Sequence, residues 1–420
     1  MKRQLFTTTA LVTAGVLASS VAHAEEGIKL GIGGYMNNYF GAGDYDNDGN
    51  DFNETSLWSD GEVIFTGETT LDNGLSFGAN IQLESFASGD QIDENFGYIE
   101  GGFGRFQFGS ENTAAHLMQY SAPQVGAPIS TGWVTNFIPT PAGFSAFAGP
   151  FQDIGNDDNT LTYFTPRLFG FQLGVSYTPN VQGNGEGSNA PADEDVDYHD
   201  GVSVGLNFVE SFGGFDVALA GGYKRASAPD NCDVTANDPR NTATTNGASR
   251  KVFVIDCPDQ EIATAGINLG FAGVTIGGGV AAEYEGRVTP LTRTVDGTVL
   301  GDPGAGAVLG VAPFAALTVA NSTRATYTSD AESTEGWSWD AGISYSTGPW
   351  SFSGVYQWGT REGSVETGDN DYMTSFGAAV EYAVGPGIRV NLTGMYASYD
   401  GESGADNDGY AGVAGISFGF

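Results

Sequence analysis

The sequence predicts an all-β fold: a transmembrane antiparallel β-barrel of sixteen strands with short turns at one rim and long loops at the other. Three observations carry that expectation. Apolar and polar residues alternate with period 2 in segment after segment, as strand side chains do. After the N-terminal leader no stretch has eighteen consecutive apolar residues, so a membrane crossing would have to be made by strands closed on themselves. The connections between alternating segments are short and long in strict turn, seven short and eight longer.

Residues 1–24 read as a secretory signal, to be removed before folding. Lys2 and Arg3 form its positive start, Leu5 to Leu17 is a short apolar stretch, and Ala22-His23-Ala24 is a small-x-small cleavage site. The expected domain is therefore one barrel over 25–420. Glycine is 64 of 420 residues, about twice the usual share, and is poor in helix interiors. Mean hydropathy is only −0.15, which suits an apolar outside around a wet inside. A net charge of −36 excludes attraction to nucleic acid or anionic lipid and favours cations.

In chain order, Ile28, Leu30, Ile32 and Met36 share the apolar face of a first strand, opposite Lys29. Residues 57–70 put Val63 and Phe65 on one face and Glu62 and Glu68 on the other. Leu71-Asp72-Asn73-Gly74 is a tight turn, since Asn-Gly accepts the positive φ angles of a hairpin. Residues 75–86 alternate cleanly, and 94–100 pairs with 105–110 through Gly101-Gly102-Phe103-Gly104. The interval 111–158 shows no clear alternation. Strands resume at 159–167, 171–178, 199–210, 215–224, 260–270 and 274–284. The remaining strands are 335–346, 350–359, 371–383, 387–398 and 409–420. The loop 285–333 is the one ambiguous place: its apolar run Ala305 to Ala320 could be a further hairpin, making eighteen strands. The last eleven residues, Tyr410 to Phe420, alternate most plainly, with an aromatic at each end of an apolar strip long enough to cross a bilayer at a tilt.

Three stretches resemble the trimeric general porins of Gram-negative bacteria, in particular their alphaproteobacterial branch. The terminal strand ending in Phe420 is similar to the family's assembly signal. The run from Phe96 to Gly109 is similar to the hairpin such porins place just before a constriction loop. Val384-Gly385-Pro386-Gly387-Ile388-Arg389-Val390 is similar to the turn into the penultimate strand. The resemblance implies a homotrimer in the bacterial outer membrane, in contact with lipid and lipopolysaccharide. Its implied activity is passive diffusion of small hydrophilic solutes. It also implies that 111–158 folds into the lumen. That loop holds Glu111, Asp153, Asp157 and Asp158, no Lys or Arg, and the apolar Trp133, Phe137, Phe144, Phe147 and Phe151. Alternation makes Lys29, Arg105, Lys224 and Arg389 lumen-facing wall bases, which would oppose the loop acids across a neck. The other reading of each base is a local ion pair with a wall carboxylate such as Glu62, Glu84, Asp216, Glu283 or Glu381. The acid-rich interior implies a mild preference for cations.

Further candidates lie outside this neck. Asp44, Asp46 and Asp48 begin like a calcium loop, but Thr55 stands where a bidentate Glu is needed and no helix flanks them. A looser divalent site, with Ca2+ as its ion, and a solvated acidic loop both fit; no other cofactor is expected. Cys232 and Cys257 fall in one long loop, where a disulfide would suit an oxidising compartment. Enzymatic chemistry is not expected. His199-Asp200 near Ser203 is the nearest thing to a hydrolytic set, and neighbouring strand residues point to opposite faces. The alternatives to a general diffusion channel are a substrate-selective channel, for sugars for example, and a soluble secreted calcium-binding β protein.

Overall fold

The computed structural model describes residues 27–47, 52–85, 91–130, 132–141, 144, 149–155, 157–181, 191–194, 197–229, 258–285, 289–295, 325–332, 335–362, 370–401 and 406–420. The leader, Cys232, Cys257 and the run 305–320 lie outside them, as does the disulfide expected between the two cysteines.

The strands are β1 (Lys29–Asn47), β2 (Thr55–Thr70), β3 (Ser76–Glu84), β4 (Asn95–Gly101), β5 (Gly104–Ser110) and β6 (Asn159–Phe164). They continue as β7 (Phe171–Val181), β8 (Tyr198–Phe212), β9 (Phe215–Ser227), β10 (Gln260–Phe271) and β11 (Val274–Glu285). After β12 (Thr289–Val295) and β13 (Ala325–Glu332) come β14 (Gly336–Thr347), β15 (Trp350–Glu362), β16 (Asn370–Gly385), β17 (Ile388–Asp400) and β18 (Asn407–Gly419). Sixteen of them close into one antiparallel barrel in sequence order, β1 pairing with β18. The barrel skips β12 and β13, which form a separate two-stranded sheet, so β11 pairs directly with β14. The loop 285–333 holds these two paired strands on either side of the run Ala305 to Ala320, which lies outside the described residues, and the wall stays at sixteen.

Local chemistry explains the hairpins. The two-residue turns need positive φ at both positions to match the strand twist. Gly213 and Gly214 supply it at φ 62° and 92°, while Phe169-Gly170 and Ala272-Gly273 use one non-glycine residue each. At the seam, Gly34 N donates to the Phe420 carbonyl at 3.0 Å and Phe420 N to the Gly34 carbonyl at 3.1 Å.

Alternation sorts the side chains as the sequence predicts. Leu57 is 83 % exposed, Leu30 85 % and Leu392 58 %, all on the outer face, a distribution that only hydrocarbon makes favourable. Aromatic pairs girdle that face near both rims. Phe171 meets Phe208 at 4.8 Å and Trp350 meets Tyr382 at 4.6 Å beside the short turns. Trp337 meets Trp358 at 4.6 Å and Tyr396 meets Tyr410 at 5.0 Å towards the long loops. Among the described residues, no helix is long and apolar enough to cross a membrane.

Leu392→Arg is expected to cost about 2–4 kcal/mol if it sits near the bilayer midplane, whereas inward Thr66→Arg is expected to stay within about 1 kcal/mol. Urea unfolding of the protein refolded into lipid vesicles measures both.

Candidate constriction site

The interval 111–158 runs inside the barrel. Its first turn, helix α1 (Ala114–Leu117), lies against the inner faces of β7 and β8: Ala114 N donates to Ser176 Oγ at 2.8 Å and Ala115 N to Ser203 Oγ at 3.0 Å. The chain then follows the wall. Ala122 N donates to Asp340 Oδ1 on β14 at 3.0 Å, Val125 N to Ser353 Oγ on β15 at 3.1 Å, and Ala127 N to Thr393 Oγ1 on β17 at 3.0 Å. A loop inside a barrel has few backbone partners of its own, and these inward hydroxyls and a carboxylate accept the N–H groups that would be orphaned. On the far side a 3-10 turn, Trp133–Asn136, brings Trp133 to 4.5 Å from Trp58 and Phe137 to 6.3 Å from Tyr39. Tyr399 Oη donates to the Ile138 carbonyl at 2.9 Å. The chain returns past Pro150, whose carbonyl accepts from Gln119 Nε2, to Asp157, where Asn112 Nδ2 donates to Oδ1 at 2.8 Å.

Glycine makes room for this path. A Cβ on Gly266 would sit 2.0 Å from the Tyr120 carbonyl oxygen, one on Gly377 would sit 2.2 Å from Ile129 Cδ1, and one on Gly174 would sit 2.6 Å from Met118 Sδ. Inward glycines on β7, β10 and β16 thus form a seat across which the loop lies flush with the wall. Glycine inside a strand is a sign of close backbone approach, and this is the signal by which the seat could have been read.

Two carboxylates fix the loop electrostatically. Asp153 returns from the loop to Lys224 on β9, Oδ1 to Nζ at 2.9 Å, with both side chains 1 % exposed. Asp153 also accepts from Thr113 N at 3.1 Å and Thr113 Oγ1 at 2.8 Å. Burial alone would raise this carboxyl, but Lys224 and Thr113 overcome it and hold Asp153 below the usual carboxylate range. His116, with Nδ1 3.6 Å from Asp153 Oδ2, is pushed down to about 4 by burial and is neutral near pH 7. Asp340 works in the other direction, from wall to loop, and also accepts from Gly279 N at 2.6 Å.

The predicted bases do not share one level. Lys224 is consumed by Asp153. Arg105 and Arg389 lie within a few residues of the short turns, and Lys29 opens β1 at the same rim. There Arg105 Nη1 is 3.9 Å from Glu100 Oε2 and stacks 3.9 Å from the Tyr98 ring centroid. Arg389 Nε is 4.0 Å from Glu381 Oε1, and Lys29 is the cross-strand neighbour of Glu68. Of the predicted loop acids, Asp157 and Asp158 are buried at the loop root, 5 % and 0 % exposed. Glu111 stands beside them with Asp93 and Glu94 of the β3–β4 connection; carboxylate oxygens of Asp93, Glu94 and Asp157 lie within 4.8 Å of one another. Burial raises Glu111 to about 7, and burial with the charges of Glu111, Asp93, Asp157 and Glu62 raises Glu94 to about 10. Asp44 and Asp46 belong to the extended end of β1, and Asp48 lies outside the described residues. Ser203 is taken up by Ala115 N, while His199 Nδ1 contacts Asp200 at 3.2 Å.

A closed barrel with a greasy outside, narrowed by a loop folded into its interior, is the architecture of an outer-membrane channel. The chain belongs to the Gram-negative porin family, whose sequence profile matches residues 7–403. Solved structures share the fold at low identity. They include a loop-deleted form of OmpT, an outer membrane protein of Vibrio cholerae, at 14 % identity and TM-score 0.55, covering 94 % of this chain and all of that one. The anion-selective porin of Comamonas acidovorans has 11 % identity and TM-score 0.55 over 94 % of this chain and 100 % of its own. Salmonella typhi OmpF, in complex with daunomycin, has 14 % identity and TM-score 0.54 over 94 % and 98 %. No curated protein matches the sequence.

Gly266→Leu is expected to lift the loop off the wall and raise single-channel conductance, with the barrel itself still folded. Lys224→Met strands Asp153 in a dry site at about 3–5 kcal/mol, so the loop is expected to be cut faster by added protease. Glu94 and Glu111 bind a proton more tightly folded than unfolded. Their contribution is full below the ordinary carboxylate value of about 4.3 and is lost as pH rises through about 7 and then about 10. The thermal midpoint is therefore expected to fall from pH 5 to pH 9, and to fall less steeply in Glu94→Gln.

Proposed function

We propose that this outer-membrane channel passes small hydrophilic solutes by passive diffusion, prefers cations, and assembles in threes. The carrying observation for the preference is a charge imbalance inside the barrel. Lys29, Arg105, Lys224 and Arg389 each stand beside an acid, and the inner wall holds acids beyond those, among them Asp60 and Glu62. Field lines confined by low-dielectric walls raise the local concentration of the opposite ion. The relative from Comamonas acidovorans is anion-selective, so selectivity follows the charges of each lumen and is not inherited with the fold. Planar-bilayer recording in a KCl gradient tests the reading. Ohmic steps grouped in threes, with a reversal potential of the sign set by K+, are expected. Folded protein that gives no steps overturns it, and saturable block by one sugar would replace it with a substrate-selective channel.

A further inference from the structure

We propose that the lumen holds a seat for ring-bearing organic cations, such as arylalkyl amines, made jointly by loop and wall: Trp133 and Trp58 take the ring and Asp60 takes the charge. The proposal rests on the channel reading above and names a class of solute that pauses on its way through.

The first argument is which rings stay open. The loop meets β1 and β2 through an aromatic cluster. Trp58 stacks on Tyr39 at 5.3 Å, meets Phe137 edge-on at 6.2 Å, and meets Trp133 at 4.5 Å with the ring planes 74° apart. The smaller rings do the packing: Tyr39 is 4 % exposed and Phe137 1 %. The two indoles are only half-buried. Among the described rings Trp133 meets Trp58 alone, which leaves one of its faces uncommitted. The other four tryptophans, Trp337, Trp339, Trp350 and Trp358, lie on the outer face of β14 and β15, so this pair belongs to the interior alone.

The second argument is that the seat is held in place. Gly41 on β1 clears room for Phe137: a Cβ there would sit 2.5 Å from Phe137 Cδ1. Thr135 Oγ1 donates to the Gly132 carbonyl at 2.8 Å and closes the turn that carries Trp133. Just beyond it, Tyr399 Oη and Asn407 Nδ2 donate to the carbonyls of Ile138 and Pro139. Rings already fixed lose little freedom when a solute settles on them.

The third argument is the charge beside the rings. Asp60 follows Trp58 on the same face of β2, two residues and about 6.6 Å along the strand. Its described partners are neutral: Asn37 Nδ2 donates to it at 3.3 Å and Tyr35 Oη at 3.5 Å. They aim the carboxylate and leave its charge in place. The face of an aromatic ring is its negative side, so indole and carboxylate both favour a cation. A flat ring with a short amine arm engages both at once. An inorganic ion has no ring to place and passes by.

Planar-bilayer recording with benzylammonium tests this. It is expected to reduce the K+ current saturably, at a half-blocking concentration about threefold or more below that of methylammonium, which has the charge without the ring. Benzoate, which has the ring without the positive charge, is expected not to block. Trp133→Ala is expected to raise the half-blocking concentration about threefold or more, Trp133→Phe to restore most of the loss, and Asp60→Asn to raise it as well. Methylammonium matching benzylammonium overturns the proposal, and so does a folded Trp133→Ala blocked like the parent. If Trp133→Ala does not fold, Asp60→Asn decides, and an unchanged half-block overturns the proposal. Separately, N-methylpyridinium, a cationic ring that quenches indole on contact, is expected to quench the folded protein along a saturating curve that benzylammonium shifts and glucose does not. A parent that never conducts removes the channel reading itself. The quenching needs no conduction and still decides the seat: a curve that does not saturate, or that glucose shifts as far as benzylammonium, overturns it.

Discussion

Everything in this molecule depends on one constraint: no backbone N–H or C=O can be left unpaired in hydrocarbon. A sheet meets it only by closing, and the closure here is the ladder between β1 and β18, from Tyr35–Gly419 to Asn47–Asn407. The carboxyl-terminal residue therefore completes the wall, and Phe420 sits against Gly34, where only a residue without Cβ leaves room. Once the ladder closes, facing is settled for every strand. A slip of one residue would turn Leu392 and Leu57 to water and Asp60 and Glu62 to lipid.

Closure creates the second problem, an interior too wide for side chains to fill. The loop between β5 and β6 fills part of it, and its packing differs from a soluble core. Large apolar side chains meet the wall in one cluster, where Ile129, Val134, Phe137 and Ile138 pack with Tyr39, Met373, Met395 and Tyr399, and in a smaller one around Ile154. Elsewhere the fit is made by glycine and by serine and threonine hydroxyls. The Lys224–Asp153 pair is a poor source of net stability, because both charges leave water. Its value is positional: the loop finds its other partners in one arrangement only when that pair is made.

The barrel was legible because strand and turn chemistry are local. Asn73-Gly74, Gly213-Gly214 and Ala272-Gly273 mark hairpins without reference to the rest of the chain. Period-2 alternation sorts Phe77 from Asn80, and Leu392 from Asn391, and the count of sixteen follows. The acidic run from Asp44 reads as a loop because Asp and Asn are poor strand formers, yet β18 supplies a full set of pairing partners and β1 runs on to Asn47. The site was less legible because its contacts are long-range. Nothing near Lys224 indicates that Asp153 will reach it, and nothing near Asp340 indicates that it will cap Ala122 N. The inward glycines were visible singly; their alignment into one seat appears only when strands are set in register.

Placing bases at the neck by alternation alone fails for a physical reason. Alternation fixes which face a residue takes but not its height along the strand. Arg105 and Arg389 lie on the inner face close to the short turns, where Glu100 and Glu381 neutralise them at about 4 Å. Charges screened over about 8–10 Å in physiological salt act weakly on an ion passing much farther away. The acids at Asp60, Glu62 and Glu84 lie beyond that rim along the same face. The height at which each pair is made, and not only the face it takes, therefore decides how much of its charge reaches the middle of the lumen.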